Sequence, residues 1–216
     1  MGSPLETRHG PSTLFVWIQL VIVYFLIECA LWSSRTVVRN RWALIAALAV
    51  LASVLLDRPS IQRLGLGLPN LSGASVVLAI SLAAALFMIF AVLRLGGQIE
   101  TSATLSNLYR SGGYVIWALL QEFLLQSFFF TRCEELFGGS TAVWAAATLF
   151  AAAHLPNPIL TAFALAGGLF FCEMFRRYRN IYTLAVGHAV LGLTVSITMP
   201  DSLMHHMRAG IGYLQF

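Results

Sequence analysis

Long apolar runs alternate with short polar or Gly/Pro-rich breaks along most of the chain. Several runs reach the roughly 20 residues that a helix needs to cross the hydrocarbon core of a bilayer. Seven candidate spans result, at residues 14–33, 42–56, 74–95, 113–131, 140–154, 158–175 and 181–199. The pattern therefore predicts an all-α fold, a polytopic transmembrane helical bundle of about seven spans.

The second and fifth spans are short, and the fifth ends at His154 in "FAAAHLPNP". Pro156 disfavours helical geometry at the preceding residue, whereas Pro158 suits the first turn of the next helix. Interrupted backbone at membrane depth is tolerated only where protein shields it. We therefore expect the fifth span to enter only part of the bilayer, or to be shielded by its neighbours.

Composition supports one integral membrane domain over residues 1–216. The chain is 58% hydrophobic and 10% charged, with a mean hydropathy of +0.80. Soluble domains are roughly 45–50% apolar and about 25% charged, so no separate soluble domain is expected. The apolar run from Leu14 to Trp32 is too long for a signal-peptide core and no small-residue cleavage site follows it, so it should stay in the mature protein.

The positive charge comes from arginine alone, since the chain has no lysine and a net charge of +4. The arginines flank the apolar runs, which suits lipid headgroups and not nucleic acid. An arginine-only, alanine- and leucine-rich chain is typical of a GC-rich bacterium, so we expect the bacterial inner (cytoplasmic) membrane. We interpret Cys29, Cys133 and Cys172 as small buried hydrophobic residues, because no CxxC pattern surrounds them.

Polar groups inside the spans are the candidates for function, because a charge at mid-bilayer costs about 2.5–3.5 kcal/mol. Two of them have a structural interpretation. Glu28 lies late in the first span, and Glu173 precedes Arg176 and Arg177 at salt-bridge spacing. His205 and His206 follow the last span and are interpreted as interfacial tail residues, because adjacent histidines on a helix do not face one ion.

Glu122, in "LLQEFLLQSFFF", has no arginine within a turn. Gln126 lies one turn beyond it on the same face. Glu122 is either a general acid or base, or a buried hydrogen-bonding group between helices. His154 and His188 lie on other spans. The presence of these three titratable residues in apolar spans predicts a polar site inside the bilayer. Such a trio can activate a water molecule, or it can ligate zinc with one open coordination position.

Three motifs in order resemble the CPBP family of intramembrane proteases, the CAAX protease and bacteriocin-processing (Abi) proteins. That family's pattern is EExxxR, then FxxxH, then HxxxN. The counterparts are "QEFLLQ" at 121–126, "FAAAH" at 150–154 and "HAVLG" at 188–192. The resemblance covers about residues 113–199 and implies an all-helical membrane fold with its site around a cavity.

The resemblance also implies roles for individual residues. Glu122 would be the surviving acid of the glutamate pair, and His154 would help it activate the water that attacks a peptide carbonyl. His188, the histidine of the third motif, would stabilise the oxyanion. Gln121, Gln126 and Gly192 stand where the pattern has glutamate, arginine and asparagine. Gln121 and Gln126 are candidates for substrate or oxyanion binding, and Asn157 is a candidate source of the missing amide.

The leading hypothesis is an intramembrane endopeptidase that hydrolyses a membrane-associated peptide without a cofactor. The alternative is a non-catalytic, protease-like membrane protein that binds a partner or serves as an assembly subunit, with the small residues Gly167 and Gly168 at a helix interface. A third hypothesis places zinc at Glu122, His154 and His188. Membrane lipids, a membrane peptide or protein substrate, and a membrane protein partner are the expected partners.

Overall fold

The computed structural model describes residues 12–99 and 105–215, and all regular structure in these ranges is helical. The main helices are α1 Thr13–Leu31, α2 Thr36–Asp57, α3 Leu71–Arg94, α4 Leu105–Glu122, α5 Thr131–Phe137, α6 Gly139–Ala152, α7 Pro158–Tyr178 and α8 Ile181–Thr198. A π-helical segment, Phe123–Phe130, joins α4 to α5 in one continuous helix and is called the π segment. Three short elements follow: α9 Asp201–Met204, the 3₁₀ helix His205–Met207 and α10 Ile211–Leu214.

Six helices in the described ranges are long and apolar enough to cross a membrane: α1, α2, α3, Gly112–Phe137, α7 and α8. The shorter apolar helix α6 completes the seven predicted segments. The predicted polytopic helical bundle and its short fifth segment are confirmed. The prediction of a short second span was wrong, because α2 has 22 residues and begins before Arg39 and Arg41. Long arginine side chains can extend toward the interface without ending the helix.

The break between α6 and α7 falls where the two prolines predicted it. Asn157 is the N-cap of α7, and its side-chain oxygen accepts a hydrogen bond of 3.0 Å from the backbone N–H of Leu160. Pro158 occupies the first turn, where its missing N–H costs nothing. Asn180 caps α8 in the same way through the backbone N–H of Thr183. The turn leaves His154 between two helices, at the edge of the bundle's interior.

An ionic cluster joins the first two helices to α5. Arg132 pairs with Asp57 at 2.8 Å, and its Nε donates to Gln19 Oε1 at 2.9 Å. Gln19 also donates to the Asp57 carboxylate at 3.2 Å. The Arg132 guanidinium lies over the Phe128 ring, 3.9 Å from its centroid. This cluster fixes α1 and α2 against the continuous helix that carries Glu122.

Helices α6 and α7 approach closely at Gly168. A Cβ atom at this position would lie 3.2 Å from Ala147 Cα, whereas one at Gly167 would meet nothing nearer than the Phe171 ring at 3.7 Å. The close contact at Gly168 is therefore between two helices of the same chain.

Replacing Gly168 with valine is expected to destabilise the protein by about 1–3 kcal/mol, because the added atoms overpack the contact with α6. Gly167→Ala is the matched control. It should leave the melting temperature unchanged or raise it, since alanine is favoured over glycine in a helix. Thermal unfolding in detergent, followed by circular dichroism, measures both. Equal melting temperatures for the two variants would contradict the close contact.

Candidate active site

A cavity of about 440 Å³ lies within the bundle, with α3, α4, α7 and α8 around it. Most of its wall is apolar, including Met88, Trp117, Leu160, Phe163, Phe170 and Val195. The polar side chains on the wall are Ser81, Tyr114, Gln121, His154 and His188. The structure thus brings both motif histidines and one motif glutamine to a single, mainly hydrophobic chamber.

Glu122 lies directly behind this wall and has no exposed surface. One carboxylate oxygen, Oε1, lies 2.8 Å from His188 Nδ1. The other, Oε2, accepts a hydrogen bond of 3.0 Å from the Gln126 side-chain amide. Glu122 ends α4 and Gln126 lies in the π segment, a type of helix that is frequent at functional sites. The carboxylate thereby connects the continuous helix to α8.

The His188 ring is held in one orientation. Phe171 stacks on it with ring centroids 5.6 Å apart and an interplanar angle of 11°, and the Phe150 ring meets it edge-on at 6.2 Å. Because Nδ1 bonds Glu122, Nε2 is the ring nitrogen left for the cavity. A carboxylate that orients an imidazole in this way selects its tautomer.

His154 lies on the same wall, at the end of the second motif. Its Nδ1 is 2.7 Å from the carbonyl oxygen of Phe150. A carbonyl oxygen only accepts, so Nδ1 carries the hydrogen, and Nε2 of the neutral ring holds a lone pair. The centroids of the Phe150 and His154 rings are 4.7 Å apart, and the Phe150 ring also meets the His188 ring edge-on. Phe150 therefore packs against both histidines.

The three amide candidates have different environments. Gln121 lines the cavity, whereas Gln126 is buried and bonds Glu122. Asn157 is buried, and its side-chain NH₂ donates to the carbonyl oxygens of Met204 and Arg208 at 2.9 and 3.2 Å. The structure does not bring Asn157 to the cavity wall. Its amide instead attaches the C-terminal segment to the start of α7.

The three residues proposed for zinc are Glu122, His154 and His188. Within the described ranges, no three His, Cys, Asp or Glu side chains are grouped closely enough to hold a metal ion. Glu122 and His188 direct an oxygen and a nitrogen at each other, so neither atom is turned toward a shared ion.

The remaining titratable candidates lie away from the cavity. Glu173 pairs with Arg176 and Arg177 at 2.8 and 2.6 Å, which confirms its structural interpretation. Glu28 accepts a hydrogen bond from the Trp32 indole at 3.0 Å. At the C-terminal end, His205 stacks on Tyr213 and His206 contacts Asp201 at 2.6 Å. Cys133 and Cys172 are buried, as predicted, and Cys29 is partly exposed.

Two polar residues on the wall, Ser81 and Tyr114, were missed by sequence reasoning. Both are uncharged residues in apolar spans, where serine and tyrosine are ordinary. Ser81 Oγ is buried and has no hydrogen-bond partner among the described residues. No signal in the sequence of α3 or α4 marks either hydroxyl as part of a site.

Comparison with known families agrees with the motifs. Residues 108–194 match the model of a family described as type II CAAX prenyl endopeptidase Rce1-like. This segment contains all three motifs, and the match confirms the resemblance to the CPBP family. It supports a protease-like function for this part of the chain. No curated protein and no solved structure matches the chain.

Proposed function

We propose that the chain is an intramembrane endopeptidase that hydrolyses a membrane-associated peptide with water activated by Glu122 and His188. The observation that carries this proposal is the 2.8 Å contact between the Glu122 carboxylate and His188 Nδ1, with the other edge of that histidine at the cavity. A buried carboxylate, an oriented imidazole and an adjoining chamber are the parts that general base catalysis needs. The match to a peptidase family supports the same reaction class.

In the proposed reaction, His188 Nε2 takes a proton from water while Nδ1–H donates to Glu122. The water oxygen bonds to the carbonyl carbon of the scissile peptide, and the carboxylate stabilises the imidazolium that forms. The imidazolium then gives its proton to the leaving amine as the carbon–nitrogen bond breaks. The contacts favour His188, where the resemblance implied His154, as the histidine that activates water together with Glu122. In this proposal His154 Nε2 accepts a hydrogen bond from the attacking water.

The character of the cavity wall suits a substrate that enters the site from the bilayer. The wall is mainly apolar, and the polar side chains on it are few. An apolar peptide segment that enters it from lipid exchanges one apolar environment for another. Charge that develops in such a chamber interacts more strongly with nearby dipoles than it would in water. We place the protein in the bacterial cytoplasmic membrane, on the composition of the chain.

A hydrolysis assay tests this function even though the substrate is unidentified. The purified protein is reconstituted into liposomes with a bacterial membrane-protein fraction, in water enriched in the heavy oxygen isotope. Mass spectrometry then counts new peptide C-termini that carry one heavy oxygen atom. The parent protein should produce them, and His188→Gln should slow their formation by about 10²-fold or more.

His206→Gln is the matched control for this assay. His206 is exposed and bonds Asp201 outside the cavity, so its variant should keep the parent rate. The proposed function fails if the parent protein forms no labelled C-termini. It also fails if His188→Gln forms them as fast as the parent does.

Replacing His154 with glutamine is expected to slow hydrolysis by about tenfold to a hundredfold, less than the loss of His188. Its ring contributes a lone pair to the cavity, but no carboxylate among the described residues bonds to it. The melting temperature should change little, because its Nδ1 bond goes to a carbonyl only four residues away. A rate equal to the parent's would exclude His154 from the reaction.

A second candidate function is the non-catalytic assembly subunit. It is favoured by the full engagement of Glu122, since both of its oxygens accept hydrogen bonds and join two helices. This candidate predicts a stable complex with another membrane protein, and no labelled C-termini from the purified chain. The same hydrolysis assay therefore separates the two functions.

A further inference from the structure

Gly192 in α8 lies directly against the hydroxyl group of Tyr114 in α4. A Cβ atom built at Gly192 would be 2.0 Å from Tyr114 Oη and 2.7 Å from Cζ. Such distances are sterically impossible, so the tyrosine hydroxyl occupies the space in which any other side chain at position 192 would begin. Both residues line the cavity. Glycine at 192 and tyrosine at 114 are therefore complementary in shape, because the hydroxyl group fills the space that the glycine leaves open.

The Tyr114 hydroxyl is placed beside the proposed base. Gly192 follows His188 by one helical turn on the same face of α8, and both line the cavity. The hydroxyl therefore lies at the part of the wall next to His188. Gln121 lies two turns beyond Tyr114 on the same face of α4 and also lines the cavity. One face of α4 thus presents a hydroxyl and an amide to the chamber opposite α8.

A tyrosine hydroxyl on an apolar wall is suited to bind an acceptor that enters the chamber. Tyrosine hydroxyls in buried sites normally have a hydrogen-bond partner, while the ring contributes rigid apolar surface. In the HxxxN motif, the asparagine stands at the position of Gly192. The hydroxyl that fills this space comes from a different helix, 78 positions earlier in the chain.

We propose that Tyr114 Oη donates a hydrogen bond to the carbonyl oxygen of the scissile peptide, in place of the amide that α8 lacks. This inference rests on the proposed hydrolytic function. When the water oxygen bonds to the carbonyl carbon, an electron pair moves onto the carbonyl oxygen, and Tyr114 stabilises that negative charge while keeping its own proton. The carbonyl reforms when the amine leaves with the proton from His188.

The first test removes the hydroxyl alone. In the hydrolysis assay, Tyr114→Phe should form labelled C-termini about 10²-fold or more slowly than the parent, the usual loss for one oxyanion donor. The ring is retained, so the melting temperature should not fall. Tyr182→Phe is the matched control, because Tyr182 is exposed on α8, and it should keep the parent rate.

The second test moves the donor to α8. Tyr114→Ala opens the space beside Gly192. The double variant with Gly192→Asn should form labelled C-termini at least tenfold faster than Tyr114→Ala alone, because an amide then projects from the third-motif position. The double variant with Gly192→Leu has a side chain of similar size without a donor, and it should not recover. Gly192→Asn alone should lose activity, since its Cβ collides with the hydroxyl.

The outcomes separate this inference from the function on which it rests. Rescue by asparagine and not by leucine supports a donor at this place on the wall. If Glu122→Gln abolishes the labelled products while Tyr114→Phe keeps the parent rate, the inference is overturned and the hydrolytic function stands. Equal rescue by leucine and asparagine also overturns it, because space filling would then explain the recovery. If the parent forms no labelled product, the function fails and the inference fails with it.

Discussion

Replacing Glu122 with glutamine is expected to slow hydrolysis by about 10³-fold or more, in line with the loss seen when the acid that orients a catalytic imidazole is neutralised. The carboxylate bonds His188 Nδ1 and supplies the negative charge that stabilises its protonated ring. Glutamine has nearly the same shape, but it cannot supply that charge. The initial rate in the hydrolysis assay measures the effect.

The Glu122→Gln variant should still fold. Gln126 Oε1 is buried without a hydrogen-bond partner among the described residues. If the Gln126 amide rotates, this oxygen can accept from the new NH₂ group at position 122, so the pair stays bonded. The melting temperature should therefore lie within a few degrees of the parent value. Glu173→Gln, which changes a carboxylate bound to surface arginines, is the control and should keep full activity. A Glu122→Gln rate within tenfold of the parent would contradict the assigned role.

Replacing Arg132 with methionine should destabilise the fold by about 3–5 kcal/mol, the usual result when one partner of a buried ion pair is removed. The Arg132 side chain is only 6% exposed, and that of Asp57 is 18% exposed. The substitution removes the cation from the Asp57 carboxylate. The carboxylate then keeps only the hydrogen bonds donated by the neutral Gln19 amide. It also removes the guanidinium from the Phe128 ring. Unfolding in mixed detergent micelles measures the loss.

A surface ion pair provides the comparison for Arg132. The Arg177 side chain is 57% exposed and pairs with Glu173 at 2.6 Å. Its replacement by glutamine should cost no more than about 1 kcal/mol, because water and salt screen an exposed pair. The double variant Arg132→Met with Asp57→Leu should recover part of the stability, since no unpaired buried charge then remains in this cluster. Equal losses for Arg132→Met and Arg177→Gln would contradict the burial of the cluster.

Much of the fold follows from local patterns. Apolar runs predicted the membrane helices, and the prolines after His154 predicted the break before α7. The π segment Phe123–Phe130 was not predicted, because a uniformly apolar sequence is compatible with either helix type. The true start of α2 was also missed, since Arg39 and Arg41 interrupt the apolar pattern but not the helix.

The members of the candidate site were easier to predict than their contacts. Glu122, His154 and His188 stand out because titratable groups are rare in apolar spans, and the motifs relate them. Glu122 and His188 are 66 positions apart, and their hydrogen bond depends on how two helices pack. The position of the Tyr114 hydroxyl at the cavity also depends on how α4 packs against α8. Arg132 and Gln19 are 113 positions apart, and no local pattern indicates their contact either.

The central claim is that Glu122 and His188 act as one unit on water. A double-mutant cycle in the hydrolysis assay tests it most directly, with Glu122→Gln, His188→Gln and the double variant measured beside the parent. Residues that act as a unit give strongly non-additive losses. The double variant should therefore be no slower than the slower of the two single variants. Losses that multiply in the double variant, or a single variant that keeps the parent rate, would contradict the claim.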